Sequence, residues 1–138
     1  MQAQAQQTIA ENVYKNTLLL IEALKDNYRQ YAIRGHQRFA ERGESVEYHQ
    51  RCIDELKSGK TDVDYEIETG KKYHKVIMIT SGMSRSVHCF VDKNTGEMYK
   101  SASWKSPAKG VRYDLRLIKD REYLLANADW SGGYLYAK

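Results

Sequence analysis

Few side chains in this sequence are spaced for acid–base, nucleophilic or metal chemistry. The four histidines, His36, His49, His74 and His88, show no H-x-x-x-H or H-E-x-x-H spacing, and Cys52 and Cys89 have no metal-ligand partners in sequence. His88 precedes Cys89 in a predicted strand, where neighbours point to opposite faces, so the two are not expected to form a base–nucleophile pair. There is no phosphate-cradling glycine loop and no G-x-S-x-G elbow. Asp62, Asp64, Glu66 and Glu68 alternate along another predicted strand. That pattern suits a solvent-facing acidic sheet edge that resists aggregation better than it suits a metal site. No catalytic residue, metal or cofactor is expected.

Binding chemistry is better represented, and it is concentrated in one stretch, SVHCFVDKNTGEMYKSASWKSPAKGVR, from Ser86 to Arg112. Arg85, Lys100, Lys105, Lys109 and Arg112 bracket a predicted hairpin and the loop that leaves it. Arginine donates paired hydrogen bonds to phosphate, and lysine adds a mobile point charge. Phe90 and Trp104 offer flat faces on which a base could stack. Pro107 would stiffen the loop, and Gly110 would let backbone N–H groups approach a ligand. The competing reading makes Phe90 and Trp104 core or interface residues and the cations merely solvated. A second basic feature, Arg34, Arg38 and Arg42, shares one helix face and reads first as a solvated or intersubunit surface.

The totals agree with a small binding domain. The chain has 138 residues and a formal charge of +4, which favours anionic partners without identifying them. Eleven tyrosines suit half-buried sheets, oligomer interfaces and ligand rims. The two cysteines are expected to be buried thiols in a reducing compartment. No signal peptide is visible, and the longest apolar run, Leu18–Ile21, is far too short to span a membrane. A cytoplasmic location is therefore expected.

These residues require a scaffold of two kinds. Residues 8–58 carry helical periodicity, with Ile9, Val13, Leu20, Leu24 and Tyr28 on one stripe. Thr8 and Glu11 read as a capping box, Gly35 as a disturbance near the end of the first helix, and Gly59 as a left-handed cap on the second. Residues 1–7 are expected to fray. Residues 61–138 read mainly as antiparallel sheet: Tyr73–Thr80, Ser86–Asp92 and Glu97–Trp104 form a meander, and Thr61–Thr69 is a further extended segment. Val87, Cys89 and Val91 are expected on one face, with His88, Phe90 and Asp92 on the other. Beyond Arg112 the pattern predicts a strand over 113–118, a short helix over 120–128 and a final strand at Tyr134–Tyr136. The whole is a single α+β domain: an N-terminal helical hairpin packed on a mostly antiparallel sheet of four to six strands.

The Ser86–Arg112 stretch, with the GG-Y-L-Y ending at 132–136, resembles a stretch in a widespread group of small phage-encoded proteins, and within it the first type of the Thoeris anti-defence sponge family. The helical half is similar only in general size and order. The resemblance implies a non-enzymatic homo-oligomer in the cytoplasm of an infected bacterium. Such a protein sequesters a cyclic ADP-ribose-type immune signal without degrading it. It implies Phe90 or Trp104 stacking on adenine, and Arg85 and Arg112 on pyrophosphate, helped by Lys105 or Lys109. The alternative from a different class is a small single-stranded nucleic-acid-binding protein using the same aromatic and basic residues.

Overall fold

A computed structural model describes the backbone of residues 2–136 and side chains from residue 8 to residue 136. Helix α1 spans Gln2–Glu41, 40 residues, or about 60 Å at 1.5 Å per residue. It begins well before Thr8, so Thr8 is an interior residue and not a cap. The fraying expected for 1–7 concerns residues whose side chains lie outside the described set. Gly35 sits inside α1 with nothing within 4 Å of where a Cβ would stand. An interior glycine weakens a helix by roughly 1 kcal/mol against alanine, but it does not end one. The stop is Gly43, at φ +78°. There the Glu44 N–H reaches Phe39 O at 3.1 Å and the Gly43 N–H reaches Ala40 O at 3.0 Å, which satisfies the last carbonyls of the helix.

Helix α2, Val46–Lys57, returns along α1 and closes in the same way on Gly59, the left-handed cap expected from the sequence. The strands β1 (Val63–Thr69), β2 (Tyr73–Thr80), β3 (Ser84–Asp92), β4 (Glu97–Lys100) and β5 (Tyr113–Asp114) follow. They form one antiparallel sheet in the order β1-β2-β3-β4-β5. Helix α3, Ile118–Asn127, and a 3-10 turn, Gly133–Tyr136, complete the chain. The Tyr134–Tyr136 segment is thus a helical turn and not a strand. The fold is α+β, with the acidic strand β1 at a sheet edge as its alternation predicts.

One sheet face packs on α1. Val13, Leu20, Ile21 and Leu24 of α1 meet Val63, Tyr65, Val76, Cys89, Val91 and Met98 of the sheet, and Leu124 of α3 joins them. Thr17 is buried in this seam with its hydroxyl donated to Val13 O at 2.7 Å, which removes the cost of burying it. The other arm of the hairpin does not share this core. Ile53 and Leu56 of α2 pack with Ile33 on the C-terminal half of α1, in a separate small cluster.

Two local departures from regular geometry shape the sheet. Val76 pairs with Cys89 but Ile77 pairs with Val87, so His88 is an extra residue in β3. This bulge reverses the expected alternation. His88 joins Cys89 and Val91 on the helix-facing side, while Val87 follows Arg85 and Phe90 to the outer face. The β3–β4 turn is held by Asp92, whose carboxylate accepts the N–H groups of Asn94 at 2.9 Å and Thr95 at 3.1 Å. Gly96 closes that turn at φ +80°, where a Cβ would stand 3.0 Å from Arg116 Cγ and 3.3 Å from Arg116 N. Gly96→Ala is therefore expected to lower stability by about 1–2 kcal/mol from the left-handed backbone alone. A lowered urea midpoint with unchanged slope would report it.

Candidate functional site

The loop between β4 and β5 is built from short-range bonds. Strand β4 stops at Lys100, four residues earlier than its alternation suggests, because the chain turns back on itself. Ser101 bridges to Pro107, Ala102 and Ser103 donate to Ser106 O at 3.0 and 3.1 Å, and Ala108 donates to Lys100 O at 2.8 Å. The Ser103 hydroxyl accepts the N–H groups of Lys105 and Ser106 at 3.3 and 3.2 Å. Trp104 and Lys105 are consequently fixed at the tip, and Arg112 at the foot, where its N–H bonds Met98 O at 2.7 Å. The loop is a small preorganised tongue.

That tongue folds over the outer sheet face. Trp104 lies with Lys75 Nζ 4.8 Å and Arg85 Cζ 5.9 Å from its ring centroid. Both cations rise from the sheet beneath it, while 42% of the residue stays exposed. Lys75 forms an ion pair with Glu68 at 3.6 Å, and Arg85 donates to Glu66. The alternating carboxylates of β1 thus hold the β2 and β3 cations in a row under the indole. The Arg85–Glu66 pair is exposed on both sides, so it contributes little to stability and is readily exchanged for a stronger anion. Lys75 did not stand out in the sequence, and the two glutamates stood out only as part of the acidic alternation, not as partners of the site. The set is visible only once the β1–β2–β3 register aligns it.

The sequence-selected residues fall into three groups. Trp104 and Arg85 come together, with Lys105 beside them at the tip. Lys105 and Lys109 are exposed, and among the described residues neither forms an ion pair. Phe90 lies one layer below. It is 2% exposed, edge-on to Tyr73 at 5.7 Å, paired across the strands with Tyr99, and linked to the site only through Lys75 at 5.9 Å. Its ring supports the platform from beneath and offers no open face. Arg112, half-buried, stands at the entry to β5.

The other reactive groups are placed for structure. The bulge brings His88 and Cys89 to the same side, contrary to simple alternation. His88 Nε2 is nevertheless bonded to the Tyr134 hydroxyl at 2.7 Å, and Cys89 has no solvent exposure. Burial pushes the Cys89 thiol up to about 12, which leaves it inert as a nucleophile. Among the described residues no group of three or more His, Cys, Asp or Glu side chains is placed to hold a metal ion. At the far end of the hairpin, Arg42 lies 5.8 Å over Phe39 and Arg51 lies 5.7 Å over Tyr48, with both rings exposed.

Residues 1–137 match the model of a protein family described as a family of unknown function (DUF7717). No curated protein and no solved structure matches the chain. Among the described residues no helix is long and apolar enough to cross a membrane.

Proposed function

The chain belongs to this family of unknown function, and from its own geometry we propose that it binds a small anionic nucleotide and holds it intact. The observation that carries the reading is Trp104, an open indole face held on a stiff tongue with Lys75 and Arg85 beneath it. Lys105 and Lys109 bring positive charge to the same tongue, and among the described residues neither is paired with a carboxylate. A ligand with one flat base and a pyrophosphate matches this pattern. The base lies on Trp104, and the phosphates take Lys105, Lys109 or the guanidinium that Glu66 now holds. Arg112, at the foot of the tongue, is the further arginine assigned to phosphate. The Ser86–Arg112 resemblance makes a cyclic ADP-ribose isomer the first ligand to test, and sequestration in the cytoplasm of an infected bacterium the role.

A ligand on one exposed indole is held weakly. Sequestration at nanomolar affinity corresponds to about −12 kcal/mol, which requires enclosure. A homo-oligomer, in which a second copy covers the outer side of Trp104, supplies that enclosure.

The test is incubation with cyclic ADP-ribose isomers, removal of free ligand, then heat release and mass analysis. Intact ligand supports the reading, hydrolysed ADP-ribose replaces it with catalysis, and an empty protein overturns it. Trp104→Ala is expected to weaken binding about tenfold to a hundredfold, since stacking contributes roughly 1–3 kcal/mol per base. Unchanged affinity by calorimetry would remove Trp104 from the site.

One observation favours a second reading, single-stranded nucleic-acid binding. The half-exposed Phe39 and Tyr48 rings, each with an arginine over it, repeat the aromatic–cation pairing at the hairpin tip, although His49 stacks on Phe39 at 5.1 Å. Salt separates the two readings. Strand binding weakens steeply with salt in proportion to the phosphates contacted, whereas an enclosed dinucleotide responds far less.

A further inference from the structure

The helix-facing side of the sheet carries a feature that the Trp104 reading does not use. Strand β4 pairs with β3 only from Cys89 to Val91. Among the described residues, Ser86 and His88 therefore have no strand beside them on that side. The space left there is a cavity of about 160 Å³, walled by Ser86, His88, Lys100, Trp130 and Tyr136 over a floor of buried Leu135. Cavity and indole platform lie on opposite faces of the sheet, joined by the first residues of the tongue.

Lys100 gives the cavity its chemistry. It is half-buried, with Nζ 4.4 Å from the Tyr136 ring centroid, and among the described residues it has no carboxylate within ion-pair distance. The Tyr136 ring covers one side of the ammonium, and both residues line the cavity. An ammonium that lines a cavity with no carboxylate paired to it is open to an anion. Among the described residues no carboxylate pairs with Lys100. Asp129, in the adjoining turn, keeps its negative charge but directs its oxygens to the Ser131 hydroxyl and to the N–H groups of Gly133 at 3.3 Å and Tyr134 at 3.2 Å. Ser86 adds a hydroxyl donor, and Trp130 and Tyr136 add apolar faces.

We propose that this cavity is a second binding site, taking a phosphate group on Lys100 and Ser86 with a remainder no larger than a sugar ring beside Trp130 and Tyr136. The volume of about 160 Å³ is on the scale of a sugar phosphate. His88, kept neutral by burial, shapes the wall without adding charge.

The experiment is a titration of the full isotope-labelled chain with inorganic phosphate and with ribose 5-phosphate at constant ionic strength, followed by amide and indole resonances. Saturable shifts at Ser86, His88, Lys100 and the Trp130 indole are expected, with ribose 5-phosphate the tighter probe, independent of any response at Lys105 and Lys109 of the indole platform. Lys100→Met keeps the aliphatic stem and removes the charge. It should weaken both probes by about tenfold or more, and Lys100→Arg should recover part of the loss. In Trp104→Ala the shifts at Ser86, His88, Lys100 and the Trp130 indole should keep their midpoints, which separates this site from the indole platform. Absence of saturable shifts in the unsubstituted chain, or an equal response in Lys100→Met, overturns the proposal.

Discussion

Truncating Phe90 to alanine will lower the unfolding free energy by about 3–5 kcal/mol, the usual cost of emptying a large aromatic site in a core. The ring is 2% exposed and lies on the outer sheet face with Ile77, which is wholly buried. Tyr73 meets it edge-on at 5.7 Å and Tyr73 meets Tyr99 at 6.0 Å, so three rings brace one another under the tongue. A domain of this size is stable by only about 5–15 kcal/mol, and the substitution removes a large fraction of that. Trp104→Ala, by contrast, removes a half-open ring and should leave the urea midpoint close to its original value. The pair of variants therefore separates folding from binding: Phe90→Ala loses ligand only in step with the unfolded fraction, Trp104→Ala loses it while folded. An unshifted urea midpoint for Phe90→Ala would show that the ring is not a structural support.

Acidification should destabilise the fold by up to about 3 kcal/mol between pH 6.5 and pH 4, with His88 as the main source. Burial lowers its imidazole from 6.5 to about 4, partly offset by Asp129. In that interval the unfolded chain binds a proton at His88 and the native chain does not. Stability therefore rises with pH through the window and is complete above 6.5. His74, also lowered by burial, acts in the same direction. His88→Gln should flatten most of the slope in urea midpoints measured against pH. A slope that persists at full size would move the effect to other groups.

How far the sequence revealed this arrangement depends on whether a feature is local. The β2–β3–β4 meander, the acidic edge strand and the Gly59 cap follow from alternation and turn chemistry within a few residues. The long run of α1 through Gly35 does not. Packing of Ile33 against Ile53 and Leu56 outweighs the modest cost of one glycine, and only the tertiary contact shows that. The bulge at His88 is likewise silent in the sequence, since one extra residue in a strand leaves no compositional mark yet changes which side chains face the core. In the site, Trp104 and Arg85 were legible by type. Lys75 was not, because its role depends on the register that places it beneath the ring beside Glu68. Phe90 has the right chemistry for stacking but the wrong depth.

The separation of the two apolar clusters carries a consequence for hydrogen exchange. The apolar part of the clamp between α2 and the C-terminal half of α1 is Ile33, Ile53 and Leu56 with Ala32 beside them, supplemented by the His36–His49 bond at 2.8 Å and the Phe39–His49 stack at 5.1 Å, while sixteen buried residues hold the sheet layer. A unit held by so few side chains opens at a lower free energy than the whole domain. The amides of α2 should thus exchange through a partial opening that leaves the sheet protected. A protease should nick the connections at 42–45 and 58–62 before it reaches β2 or β3. The hairpin tip, with Phe39, Tyr48 and their arginines, would then behave as a hinged appendage whose detachment leaves the Trp104 face intact.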